Sequence, residues 1–260
     1  MTEAIIFTFM VLAIFILVAW LLIKPRTRAG KPEVLSANYK QLLEENVLFY
    51  QRLNEEQRLE FETRVQQFLS TVRVNGAGGV AVEDLDRILV GASAIIPIFS
   101  FPNWHYGNIR EVLLYPESFS EEFEIAGGNR PVLGMVGDGP MQQVMILSQH
   151  ALREGFSNKT DKSNTAIHEF VHLIDKTDGA TDGVPEILLQ HRYMLPWVNM
   201  VHKNIKEIQT NKSDINPYGA KNQAEFFAVV SEYFFERPDL LKTKHPELYE
   251  MLDYVFQKKN

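Results

Sequence analysis

Residues 164–175 read NTAIHEFVHLID. On an α-helix, positions four apart lie on one face. His168 and His172 therefore point the same way, as two imidazoles offered to one metal ion. Glu169 is displaced around the helix and can reach a metal-bound water as general base. Ser163 or Asn164 caps the start, and Ala166, Ile167, Phe170, Val171 and Ile174 form the apolar stripe that holds such a helix against a core. The stretch predicts a metal-bearing helix with its histidines facing a cleft. The rest of the chain must then supply a third ligand and a place for substrate.

Upstream, the runs IPIFSF, REVLLYP, PVLGMV and QQVMILS are β-branched or alternating and are separated by Pro, Gly and Asn, as short strands are. QQVMILS is expected either at a sheet edge, where an extended peptide could add to it, or in the sheet interior. Before these runs, helical patterns cover Ser36 to Tyr50, a segment capped by Asn54, and the residues leading to Pro97. After Ser148 the chain turns helical, with further segments at Glu186 to Ile208, Asn222 to Phe235 and Pro246 to Phe256. Helices, a small sheet, then more helices predict an α+β fold.

A catalytic zinc takes three protein ligands and a water. LIDKTDGATDG, directly after the second histidine, holds no third one. The remaining ligand is then expected to be a carboxylate on a later helix. QAEFFAVVSEYFF offers Glu225 and Glu232, seven apart and so on one face, within an otherwise apolar and hence buried helix. A buried carboxylate needs a partner or a metal. Either residue fits the ligand role, and the other would hold an imidazole N–H. Asp175, three residues past His172, is expected to support the ligands in the same way or to be solvated near the helix end.

The chain has no cysteine, so disulfides and thiolate ligands are excluded and any metal here has nitrogen and oxygen donors. Net charge is −7; Lys24, Arg26 and Arg28 against Glu3 give the first thirty residues +2, leaving −9 for the remainder. An acidic domain without a basic stripe is a poor nucleic-acid binder. Ala4–Ile23 is uncharged, with Thr8 as its one polar residue. About 20 such residues span a ~30 Å hydrocarbon core. The basic flank KPRTRAGK follows this run, and the positive-inside rule then places the domain on the cytoplasmic side of the inner membrane as a single-pass protein. The expected organisation is an anchor with its basic flank over 1–30 and one domain over 31–260.

The motifs together resemble a known family, the bacterial metallopeptidases typified by Mlc titration factor A, which are distantly similar to the catalytic domain of anthrax lethal factor. The resemblance covers most of the chain after about residue 40. FLSTVRVNGAGGVAVEDLDRILVGASAIIPIF, IREVLLYPESF and MILSQHALREGF carry it, and NTAIHEFVHLID and YGAKNQAEFFAVVSEYFF are its specific parts. It implies a zincin-like domain of the gluzincin type, with a small sheet, the H-E-x-x-H helix and a later helical lobe. It implies Zn²⁺ on His168, His172 and Glu225, with Glu169 as general base. Tyr218, seven residues before the ligand glutamate, is implied as a transition-state donor, and Glu232 as a supporting or structural residue. The expected function is hydrolysis of a peptide or protein substrate. The alternative is a protein-binding module of the same fold, in which zinc is structural and the partner is a transcriptional regulator. The soluble members of the family lack an N-terminal transmembrane segment.

Overall fold

In the computed structural model, which describes residues 36–118, 133–137 and 142–257, several helices begin at a side-chain cap. Tyr39–Asn46 (α1) and Leu48–Gln51 (α2) lead into Glu55–Thr71 (α3). There the Asn54 side chain accepts from the Gln57 N–H at 2.9 Å, and the Gln57 side chain accepts from the Asn54 N–H at 3.1 Å. This reciprocal pair satisfies two donors that a helix start leaves free. The strand Arg73–Gly76 (β1) and the helix Asp84–Ile95 (α4) follow. α3 and α4 pack closely at Gly91, where an added Cβ would lie 2.8 Å from Val65 Cγ1.

The strand expected over IPIFSF is instead a buried 3₁₀ turn, Ile96–Ile98, that continues α4. Pro97 removes a donor and ends the α-helix. The carbonyls of Ile98, Phe99 and Phe101 then converge on the Arg64 guanidinium at 2.9, 2.7 and 3.2 Å, and are not laid out for a ladder. The strands Glu111–Tyr115 (β2), Gly134–Val136 (β3) and Val144–Ser148 (β4) form one sheet with β1, in the order β1-β2-β4-β3. β1, β2 and β4 are parallel, and β3 runs antiparallel to β4. QQVMILS is thus the interior strand: Met145, Ile146 and Leu147 are all buried, as they must be with neighbours on both sides. The edge beside β4 is formed by β3.

Beyond the sheet come Gln149–Ser157 (α5), Thr165–Asp175 (α6), His191–Gln209 (α7), Gln223–Glu236 (α8), Pro238–Lys244 (α9) and Pro246–Phe256 (α10). α7 starts later than its apolar pattern suggests, because the carbonyl of Pro185 accepts from both Leu188 and Leu189 and closes a turn there. Phe170 from α6, Phe226 and Phe227 from α8, and Trp197 from α7 are fully buried in one continuous core. A small mixed sheet followed by a helical lobe fits the zincin-like arrangement.

One part of the expected fold fails. Among the described residues no helix is long and apolar enough to cross a membrane. The most apolar-looking helix, α8, has 14 residues and so is about 21 Å long, short of a ~30 Å core. The longest, α7, carries Arg192, Lys203, Lys206 and Glu207. The structure therefore does not support the expected transmembrane helix or, with it, the single-pass inner-membrane location. The Ala4–Ile23 run on which both rested lies outside the described residues.

Candidate metal centre

The helix α6 is fastened before it begins. Asn164, fully buried, accepts from the Ile167 N–H at 3.1 Å and so caps the helix. Its amide group donates to the Gly155 carbonyl (3.3 Å) and to Glu236 Oε1 (2.9 Å), and its main-chain N–H donates to Glu232 Oε2 (2.6 Å). Phe170, Val171, Leu173 and Ile174 bury the inner face. His168 and His172 lie on the other side, with ring centroids 4.7 Å apart.

Glu225 is brought in by a second cap. Asn222 accepts from the Glu225 N–H at 2.8 Å, which sets Glu225 in the first turn of α8. Its Oε2 lies 3.0 Å from His168 Nε2 and 3.3 Å from His172 Nε2, and the two Nε2 atoms are 3.1 Å apart. Among the described residues this trio alone has the spacing of a metal site. The donor set fits Zn²⁺. Two imidazole nitrogens and a carboxylate oxygen make a familiar ligand set, and bonds of 2.0–2.1 Å in a tetrahedron put ligand atoms about 3.3 Å apart.

Behind the trio, Glu232 Oε1 sits 2.7 Å from His168 Nδ1 and fixes that ring. The Nδ1 of His172 is buried and has no hydrogen-bond partner. Asp175 is buried too, but its Oδ2 accepts from the Gly183 N–H at 2.9 Å and its Oδ1 has no partner, so it is hydrogen-bonded to neither histidine. Burial pushes the Asp175 carboxyl up to about 6, against the pull of the Gly183 N–H.

Charge at the centre is strongly coupled. Burial alone would hold the His168 imidazole down. The charge of Glu232 and the bonds to Glu225 and Glu232 outweigh burial and push His168 up to about 10. Burial would raise Glu225, yet the two imidazoles hold it well below the usual carboxylate range. Glu169 is buried, and burial raises its carboxyl while the imidazoles oppose this.

Tyr218 stands on a 3₁₀ turn, Pro217–Ala220, opened by the Asn216 side chain, which accepts from the Tyr218 N–H at 3.0 Å. Its hydroxyl donates to Glu225 Oε1 at 3.2 Å, and Lys221 Nζ lies 3.4 Å from the same hydroxyl. Tyr218 as a whole is 48% exposed. Four residues the sequence reading passed over or left undecided therefore belong to the surroundings: Asn164, Lys221, Asn222 and Gly134, the last pressed against Glu169. Asparagine just ahead of each ligand helix was a readable signal; the other two depend on tertiary approach.

The sequence pattern of the glucose-regulated metallopeptidase M90 family matches residues 23–257. An uncharacterized protein, slr2042, of Synechocystis sp. is 27% identical over 230 residues, covering 84% of this chain and 82% of its own length. The Mlc titration factor A of Pectobacterium atrosepticum is 26% identical over 221 residues, 79% of this chain and 80% of that protein. Its namesake from Escherichia coli is 27% identical over 218 residues, with the same coverage.

Proposed function

The chain belongs to the glucose-regulated metallopeptidase M90 family, and from that premise we propose that it is a zinc-dependent peptidase whose ligands are His168, His172 and Glu225. The convergence of these three side chains on one point, with a buried carboxylate at Glu169 beside them, carries the reading. Zn²⁺ held there would polarise a scissile carbonyl and acidify a water. Glu169 acts as general base. Its raised proton affinity brings it nearer the range in which a group both takes a proton and returns it to a leaving amine. Glu232 holds His168 in one orientation through Nδ1, leaving Nε2 for the ligand role. Tyr218, half exposed on its turn, has its hydroxyl beside the centre and donates a hydrogen bond to the developing oxyanion.

The substrate would be an extended peptide added to β3. Leu133 accepts from Ser148 and Gly137 donates to Val144, so alternation along the strand turns the main-chain groups of Gly134 and Val136 away from β4. That outer edge is where β-addition would occur.

The test pairs metal analysis with a peptide-library cleavage assay on the wild type and Glu169→Gln. Glutamine keeps the shape and removes the basic oxygen, so zinc should stay while activity falls by roughly 10²-fold or more. Full activity in a zinc-loaded Glu169→Gln protein would sink the mechanism. The name of the Mlc titration factor relatives favours a second reading, a module that binds a regulatory protein with zinc in a structural role. Bound zinc without cleavage of any library peptide supports that reading.

A further inference from the structure

Gly134 opens the edge strand β3 directly against α6. A Cβ at this position would lie 2.7 Å from Glu169 Cγ, 2.8 Å from Glu169 Oε1 and 2.9 Å from Thr165 Cγ2. The backbone does not explain the glycine, because Gly134 is not among the residues with positive φ. Close approach explains it.

We propose that Gly134 is a positioning residue for Glu169: its bare Cα is the wall that sets where the buried carboxylate lies. The inference rests on the peptidase reading. Glu169 stands between the two histidines of α6, so its backbone is fixed by the same helix that presents the ligands. Gly134 is held from the other side through its neighbour Leu133, whose carbonyl accepts from the Ser148 N–H of the interior strand β4 at 2.8 Å. Neither backbone can retreat without moving the ligands or the sheet. When the gap closes, what yields is the side chain of Glu169, a small repacking with a large effect on where its oxygens point. Gly134 also belongs to the strand whose outer edge would receive the peptide. One residue therefore sets the base relative to the bond it must serve.

The test compares Gly134→Ala, Glu169→Ala and Thr165→Ser, alone and in pairs, in the full chain. Zinc content, the melting temperature of the metal-free protein, and kcat and KM on a peptide found in the library screen are measured. Gly134→Ala should keep its zinc, since Glu169 is not a ligand. Its kcat should fall between about 10- and 100-fold, with KM little changed, because the misplacement is at the reacting centre. The metal-free Tm should drop by about 2–4 °C, and most of this drop should vanish in the Glu169→Ala background, where only the Thr165 contact is left. Thr165→Ser removes the Cγ2 contact and should return only part of the Tm loss, with kcat still low. If Gly134→Ala alone does not fold, recovery of folding by Glu169→Ala supports the same contact. A zinc-loaded Gly134→Ala enzyme with wild-type kcat overturns the proposal, and so does a Tm loss that is undiminished without Glu169. Failure of the wild type to cleave any peptide defeats the peptidase reading instead, and the Tm pairs still report whether the contact exists.

Discussion

At the scale of residues, the proposed centre divides into groups that would touch the metal and groups that hold those groups still. His168→Ala, His172→Ala and Glu225→Ala should each strip most of the zinc, since each removes one of three protein donors. Glu232→Ala should weaken binding by only about 10–100-fold, the usual loss when a ligand's supporting partner goes. Equilibrium dialysis against radiolabelled zinc separates the two outcomes, and an empty Glu232→Ala site beside a loaded Glu225→Ala site would reverse the assignment. In the same assay Tyr218→Phe should keep its zinc, while kcat drops by roughly 10- to 1,000-fold. The histidine pair and Glu169 were legible as a motif because helical geometry alone brings them together. Glu225 and Glu232 were not separable that way, since seven residues is two turns and both carboxylates share a face. What separates them is depth: Glu225, in the first turn of α8, meets the Nε2 atoms, and Glu232, two turns further on, meets Nδ1 of His168 from behind. Gly134 was not legible at all, since nothing local marks which glycine will face a carboxylate from another element.

At the scale of elements, α6 and α8 are tied at the N-terminus of α6, where Asn164 joins Glu232 and Glu236. Burial pushes the Glu236 carboxyl up to about 7; the bond from Asn164 opposes this, and the charges of Asp161 and Glu232 add to it. A carboxyl whose folded value is raised holds its proton more tightly when folded. Its contribution is complete below about pH 4.5 and is lost as pH rises through about 7. Glu236→Gln keeps an oxygen for Asn164 and removes the titration. At pH 8 the variant should melt about 2–4 °C above the wild type, and at pH 4 the two should nearly coincide. Equal melting temperatures at both pH values would show that Glu236 does not titrate in this range. Caps and apolar stripes made most helices readable, with Asn54 the plainest case. β1 was missed because four residues with one buried side chain carry no period. IPIFSF misled because a β-branched apolar run says only that a segment is buried, and here Pro97 and Arg64 wind it into a turn.

At the scale of the whole molecule, Asp214 gathers distant parts of the chain. Its carboxylate meets Lys162 at 2.6 Å, His245 at 2.6 Å, Lys244 at 3.0 Å and the Tyr233 hydroxyl at 3.1 Å. Burial would raise this carboxyl, but the bonds from Lys162, His245 and Lys244 hold it well below the usual carboxylate range. Its stabilisation is therefore present above pH ~4 and fades as pH falls through its own lower value. Asp214→Asn should lower Tm at pH 7 by roughly 5–10 °C and flatten the acid limb of the stability curve. A variant that melts like the wild type would show the cluster to be ornamental. The metal centre has a comparable span. His168 and Glu225 are 57 positions apart, with the whole of α7 between them. An unfolded chain therefore offers an ion little more than two histidines, and closing so long a loop is slow. On the proposed reading zinc would then be a late arrival that meets a finished site. It would add stability by mass action, in proportion to the logarithm of its free concentration. A chelator should lower the melting temperature and still leave a folded protein, one that waits for its ion.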